Sequence, residues 1–155
     1  MLYTVPSVAL FGLLVPYTGL TIWTAVIPLV AYTLLILFTN FVAGFRAVPA
    51  EVRDAAEGMG MSPVRRVLGV ELPIASPYII TGLRIATVST VGLVTVASII
   101  CQGGLGRLIL DGLRRTFWTP MVIGAVLSIL LALVLDLIIQ LLGRVATPWL
   151  RRART

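Results

Sequence analysis

Hydrophobic positions fall in four long runs, separated by connections of unlike character. The runs cover Leu2 to Val15, about 25–45, about 78–100 and about 121–142. A helix needs roughly 20 apolar residues to cross a bilayer core, so the pattern predicts an all-α integral membrane protein of four apolar helices. The connection Pro16 to Thr24 is short and uncharged, whereas Arg46 to Pro77 is long and charged. Gln102 to Pro120 is Gly-rich and carries Arg107, Asp111, Arg114 and Arg115. Gly143 to Thr155 is a basic tail with Arg144, Arg151, Arg152 and Arg154. The first run makes only about 21 Å of helix against a hydrocarbon core of roughly 30 Å. Pro6 weakens its start and Pro16 favours a break. The expectation is a helix whose beginning precedes Met1, and a chain that assembles poorly unless extended upstream.

Composition agrees with this class and removes others. The 155 residues are 59% hydrophobic and 12% charged, too few charges to coat a soluble domain. Mean hydropathy is +1.06, and no charge precedes Arg46. The absence of Lys rules out a phosphate-binding loop ending in Gly-Lys-Ser/Thr. The absence of His rules out a Ser-His-Asp triad and a His-Glu-x-x-His zinc site. Cys101 is the only cysteine, so it forms no intrachain disulfide or thiolate metal cage, and it reads as a small packed residue. All 12 basic residues are Arg, and they flank the apolar runs as topology determinants do. The implied partner of this charge is membrane lipid and not nucleic acid.

Placing the 46–77 loop and the tail inside collects nine arginines on that side, counting Arg84 in the inner part of the third run, and leaves three outside, as the positive-inside rule requires. Tyr17, Trp23 and Trp118 then lie near the outer interface, and Tyr78 and Trp149 near the inner one. The loop itself divides into two short helices. Pro49 suits a helix start, and Glu51 and Asp54 suit the positive end of its dipole. Glu51, Asp54 and Glu57 recur every three residues, beside a low-profile patch of Ala55 and Ala56. Gly58 and Gly60 end the first helix, and Gly60 needs a positive φ or a close approach to a partner. Ser62-Pro63 starts a second helix as N-cap and first helical residue. Leu72-Pro73 is expected to stop it, with Pro77 leading into the third run.

The spacing within the loop is specific. Asp54-Ala55-Ala56 is followed by three residues, Gly60, nine residues, Val70, one residue, then Leu72-Pro73. This resembles the "EAA" loop of permease subunits of binding-protein-dependent ATP-binding-cassette importers, with Asp54 standing where the family usually has Glu. Thr4-Val5-Pro6-Ser7-Val8-Ala9-Leu10-Phe11, Gly58-Met59-Gly60-Met61-Ser62 and Gly103-Gly104-Leu105-Gly106 resemble the osmoprotectant branch, whose members carry glycine betaine, carnitine and choline. The resemblance implies the family's five-helix core minus its N-terminus, in the bacterial cell membrane. It also implies a dimer of like or paralogous permeases, a cytoplasmic ATPase that binds ATP and Mg, and an extracytoplasmic substrate-binding protein. Asp54, Ala55, Ala56, Gly60, Leu72 and Pro73 would then couple to the ATPase, and the chain itself would hold no cofactor or metal and catalyse no reaction. A permease for another small solute of the superfamily, or a truncated non-transporting fragment, remain alternatives.

Further residues carry weaker signals. Gly82, Ala86, Ser89, Thr90 and Ala97 fall near one face of the third run, which suits close helix packing or a smooth pore wall. Asp136 lies inside the fourth run, within reach of the inner interface, and reads as a structural polar contact. An ion-coupled carrier would need paired charges along the spans, and Asp136 alone qualifies. Arg84 is expected to snorkel, and Phe117 and Trp118 to anchor at an interface. Gly103-Gly104-Leu105-Gly106 reads as a turn or re-entrant segment, since no Lys follows it.

Overall fold

The computed structural model describes residues 7–98 and 103–147. Cys101, Trp149, the Thr4-Val5-Pro6 stretch and the arginines beyond 147 lie outside the described residues. Every regular element among the described residues is helical: α1 (Ser7–Thr18), α2 (Ile22–Arg46), α3 (Ala50–Gly58), α4 (Pro63–Arg66), α5 (Leu72–Ala97), α6 (Leu105–Arg114) and α7 (Trp118–Ala146). A π-helical segment, Val67–Glu71, joins α4 directly to α5. Among the described residues three helices are long and apolar enough to cross a membrane: Ile22–Arg46, Pro63–Ala97 and Trp118–Val145. Helix α1, at 12 residues, is shorter than a span. Helix α7 shows why the class is unambiguous, because Ile129, Leu131, Leu133 and Val134, spread widely around the helix, all leave large apolar surface uncovered. A helix apolar on all sides finds its proper solvent in lipid or in neighbouring helices.

Three local expectations need correction. Leu72-Pro73 does not stop a helix; the chain stays helical from Pro63 to Ala97. The ring of a helical proline collides with the carbonyl four residues earlier, here that of Gly69, which lies in the wider π turn. Helix α5 also continues through Pro77. Pro77 leaves the Pro73 carbonyl without its usual backbone donor, and the Ser76 hydroxyl donates to it at 2.8 Å. Pro16 does not break α1, which ends at Thr18. At that position the proline forfeits one bond of the final turn. The Gly103-Gly104-Leu105-Gly106 stretch is a turn only in its first half: Gly103 and Gly104 hold φ +158° and +77°, and Leu105 opens the ten-residue helix α6. Its Arg107 and Asp111 pair at 3.6 Å one turn apart, leaving Gly106 and Gly112 on the buried side.

The chain divides into two compact units. One comprises Met1–Leu34 and Ala86–Asp136. Its core gathers Phe11, Ala25 and Ala97, with Leu29 and Val96 packed against them. Glycines let α6 sit tightly: a Cβ at Gly106 would lie 2.5 Å from the Thr95 carbonyl, and one at Gly124 would lie 2.8 Å from Ile109. The other unit comprises Leu35–Ile85 and Leu137–Thr155. There Gly44 faces Ala75 and Tyr78, Gly82 faces Asn40, and Gly143 faces Ile80. Small residues at such crossings bring backbones together where lipid removes the hydrophobic drive for association.

Candidate coupling surface

Helix α3 begins after Pro49, which is the N-cap at φ −59° and ψ 143°, with Glu51 in its first turn. Its end is built by two backbone bonds. The N–H of Gly60 donates to the Glu57 carbonyl at 2.8 Å, and that of Met61 to the Ala56 carbonyl at 3.2 Å. This is the Schellman pairing, which requires a left-handed residue just past the cap. Gly60 supplies it at φ +73°. Ser62 then takes the N-cap position of α4 in extended conformation, with Pro63 at the first helical position. Helix α3 packs back on α4 and on the π segment.

Burial divides the predicted coupling residues. Asp54, Ala55 and Gly60 are exposed, Leu72 and Pro73 are half-buried, and Ala56 is buried. The two alanines, expected to form one patch, therefore do different things: successive helical positions lie about 100° apart. Ala56 meets the interior, while Ala55 stays outside beside Asp54, which makes no ion pair among the described residues. Met59, Val64 and Leu68 are also exposed, at 68%, 68% and 61%. The loop thus presents a carboxylate, a small residue, a bare glycine turn and three apolar side chains.

Beneath this surface lies an ionic cluster that residue spacing alone did not suggest. Glu71, 7% exposed, receives two guanidinium groups. Arg66 Nε stands 3.1 Å from its Oε1 and Arg53 Nε 3.8 Å. Arg66 also pairs with Glu57 of α3, and Arg53 donates to the Phe45 carbonyl. Both Nε atoms are buried without an aligned hydrogen bond, so they act on Glu71 as charges. The available signal was a balance of four acidic and four basic residues within the 46–77 loop; the pairs Arg53–Glu71 and Arg66–Glu57 cross the glycine turn, where helical spacing rules do not reach.

The small residues of α5 are placed as follows. Gly82 is buried, and a Cβ there would fall 2.5 Å from Asn40 Cβ. Ala86 and Ala97 are buried, and Ser89 is half-buried. Thr90 Oγ1 lies 2.9 Å from Thr33 Oγ1 and within 2.7 Å of the Ala86 carbonyl. Asp136 and Arg84 are both engaged in polar or electrostatic contacts. Phe117 and Trp118 are exposed and border a shallow apolar recess with Gly112 and Met121. No group of three or more potential metal ligands occurs among the described residues.

Residues 1–146 match the family of binding-protein-dependent transport system inner membrane components. The chain belongs to that family. This inner-membrane component is a multi-pass, all-α membrane protein, and its relatives are transport permeases. It is 37% identical over 153 residues to the osmoprotectant import permease protein OsmW of Salmonella typhimurium, covering 96% of this chain and 71% of that one. It is 34% identical over 148 residues to the choline transport system permease protein OpuBB of Bacillus subtilis, covering 96% of this chain and 68% of that one. It is 36% identical over 135 residues to the ergothioneine transport permease/ergothioneine binding protein EgtU of Helicobacter pylori, covering 87% of this chain and 24% of that one.

Proposed function

We propose that this inner-membrane component is the permease of an ATP-driven importer for a small osmoprotectant such as glycine betaine, choline or carnitine. The single observation that carries the coupling part is the turn at Gly60. A left-handed glycine with open space around its Cβ position follows the exposed pair Asp54 and Ala55 at the spacing of the importer loop. Asp54, Ala55 and Gly60 would meet a cytoplasmic ATPase directly. Ala56, Leu72 and Pro73 would hold the docking helix to the helix that runs from Pro63 to Ala97. The loop and the C-terminus are then cytoplasmic, which keeps the arginine balance of the sequence on the inner side.

In this reading ATP and Mg are bound and ATP is hydrolysed by the separate ATPase. An extracytoplasmic binding protein delivers the solute, and a second permease subunit completes the path. The fusion named for the Helicobacter relative, permease with binding protein, supports that partnership. Transport requires the ATPase states to hold the loop with different contact energies, since a partner shifts an equilibrium only by its differential affinity. Gly82, Ala86, Ser89, Thr90 and Ala97 serve helix packing or border the path.

The test is uptake of labelled glycine betaine, choline and carnitine by cells carrying the transport genes with this one intact or deleted. Loss of uptake on deletion, restored by the gene in trans, is the expected result. Unchanged uptake of all three refutes the osmoprotectant assignment. Ergothioneine belongs in the same panel, because a relative of 36% identity is named for it.

A further inference from the structure

We infer that Glu71 is a positioning residue, an ionic latch that sets the angle between α3 and the helix beginning at Pro63. This rests on the coupling role proposed above. Three observations carry it. Glu71 is nearly inaccessible, and it lies where the π segment passes into α5. Its two guanidinium partners come from different helices, Arg53 from α3 and Arg66 from α4. Arg66 reaches on to Glu57 of α3, so a second link crosses the same junction. Loss of this carboxylate alone would leave Arg53 without its only ion-pair partner among the described residues.

A docking helix transmits force only if it cannot pivot at its root. The root here is a four-residue turn, Met59 to Ser62, closed by the Gly60 and Met61 amides and carrying one glycine, so its own resistance to bending is limited. The latch supplies what that turn lacks. Because the Nε atoms approach Glu71 without aligned hydrogen bonds, the attraction is between charges. A neutral side chain of the same shape is therefore expected to release it.

The decisive measurement uses the permease reconstituted with its ATPase and binding protein. Glu71→Gln is expected to retain ATPase co-purification and hydrolysis, while solute transported per ATP falls by about tenfold. Glu71→Asp restores part of that ratio. Spin labels at Glu51→Cys and Arg65→Cys, both on exposed positions, should give a broader distance distribution in the Gln variant. A wild-type ratio with an unchanged distribution overturns the latch. If Glu71→Gln does not accumulate in the membrane, Arg53→Gln replaces it, because Glu71 then keeps Arg66; a wild-type ratio there overturns the latch equally. Failure of the docking reading looks different: Gly60→Glu would leave ATPase co-purification intact, whatever the Glu71 variants do.

Discussion

Replacing Gly60 separates a conformational cost from a docking cost, because the structure makes the first calculable. The residue holds φ +73°, and a Cβ added there would meet nothing within 4 Å. A side chain therefore costs backbone energy and no collision. For Ala in the left-handed region that is roughly 1–2 kcal/mol. Asn visits that region more readily and costs less. Such a penalty loosens the turn closed by the Gly60 and Met61 amides by a factor of about 5–30, and leaves the apolar helices untouched. If conformation were all that mattered, Asn would outperform Ala, and Ala and Glu would be equally impaired. If a partner closes over the bare turn, impairment follows size and charge instead. We expect Ala to be mildly affected, Asn more so, and Glu to lose ATPase co-purification and solute uptake with normal membrane levels. Gly58→Ala is the control: its site is helical with open space around a Cβ, so stability should hold or rise by up to about 1 kcal/mol. Wild-type uptake and co-purification in Gly60→Glu would refute the docking reading.

Topology is testable by impermeant thiol labelling in a Cys101→Ser background. Val64→Cys should label only after the membrane is opened, and Arg114→Cys in intact cells; the reverse pattern inverts the orientation. Gly112 itself is unsuitable for labelling, because a Cβ there would lie 2.7 Å from the Met121 amide nitrogen. Gly82→Val should lower the unfolding temperature of the detergent-extracted protein, at a cost of about 1–3 kcal/mol for overpacking, since Asn40 is held in place by its bond to the Ile36 carbonyl at 2.8 Å. Thr90→Val removes the hydroxyl facing Thr33 and should cost less than about 2 kcal/mol. A changed apparent affinity for solute at unchanged stability would instead place Thr90 on the path.

Signals confined to a few neighbouring residues were legible in the sequence. Pro63 opens α4 at its first helical position, with Ser62 extended before it and making no side-chain cap bond, and Gly60 closes the turn after α3, because such signals depend only on the residues at the helix end. The apolar runs 25–45 and 121–142 located their helices to within four residues at each end, whereas the helix of the run 78–100 begins as early as Pro63. What could not be read was whatever depends on more distant partners. The proline at 73 reads as a stop, yet a π turn absorbs it and helix continues. Gly103 and Gly104 signal a turn, and that signal masks the helical spacing of Leu105, Ile109 and Gly112 that follows. Ala55 and Ala56 look alike in a motif and part company on a helix that has one buried side. The Glu71 cluster joins residues 5, 9 and 18 positions apart, two of its three pairs across a turn, and no periodicity announces that. The role of each coupling residue is a matter of contact with a partner, which neither spacing nor the isolated chain contains.

The Glu71 cluster also constrains how this chain can change over generations. Reversing the charge of Glu71 alone would set three like charges together in a nearly closed space, and reversing Arg66 alone would face a carboxylate with two others. Each single step is costly when a buried charge loses its counterion. Positions 53, 57, 66 and 71 are therefore linked in their substitution history. They should drift together through neutral or compensated intermediates, while exposed neighbours such as Arg65 vary independently.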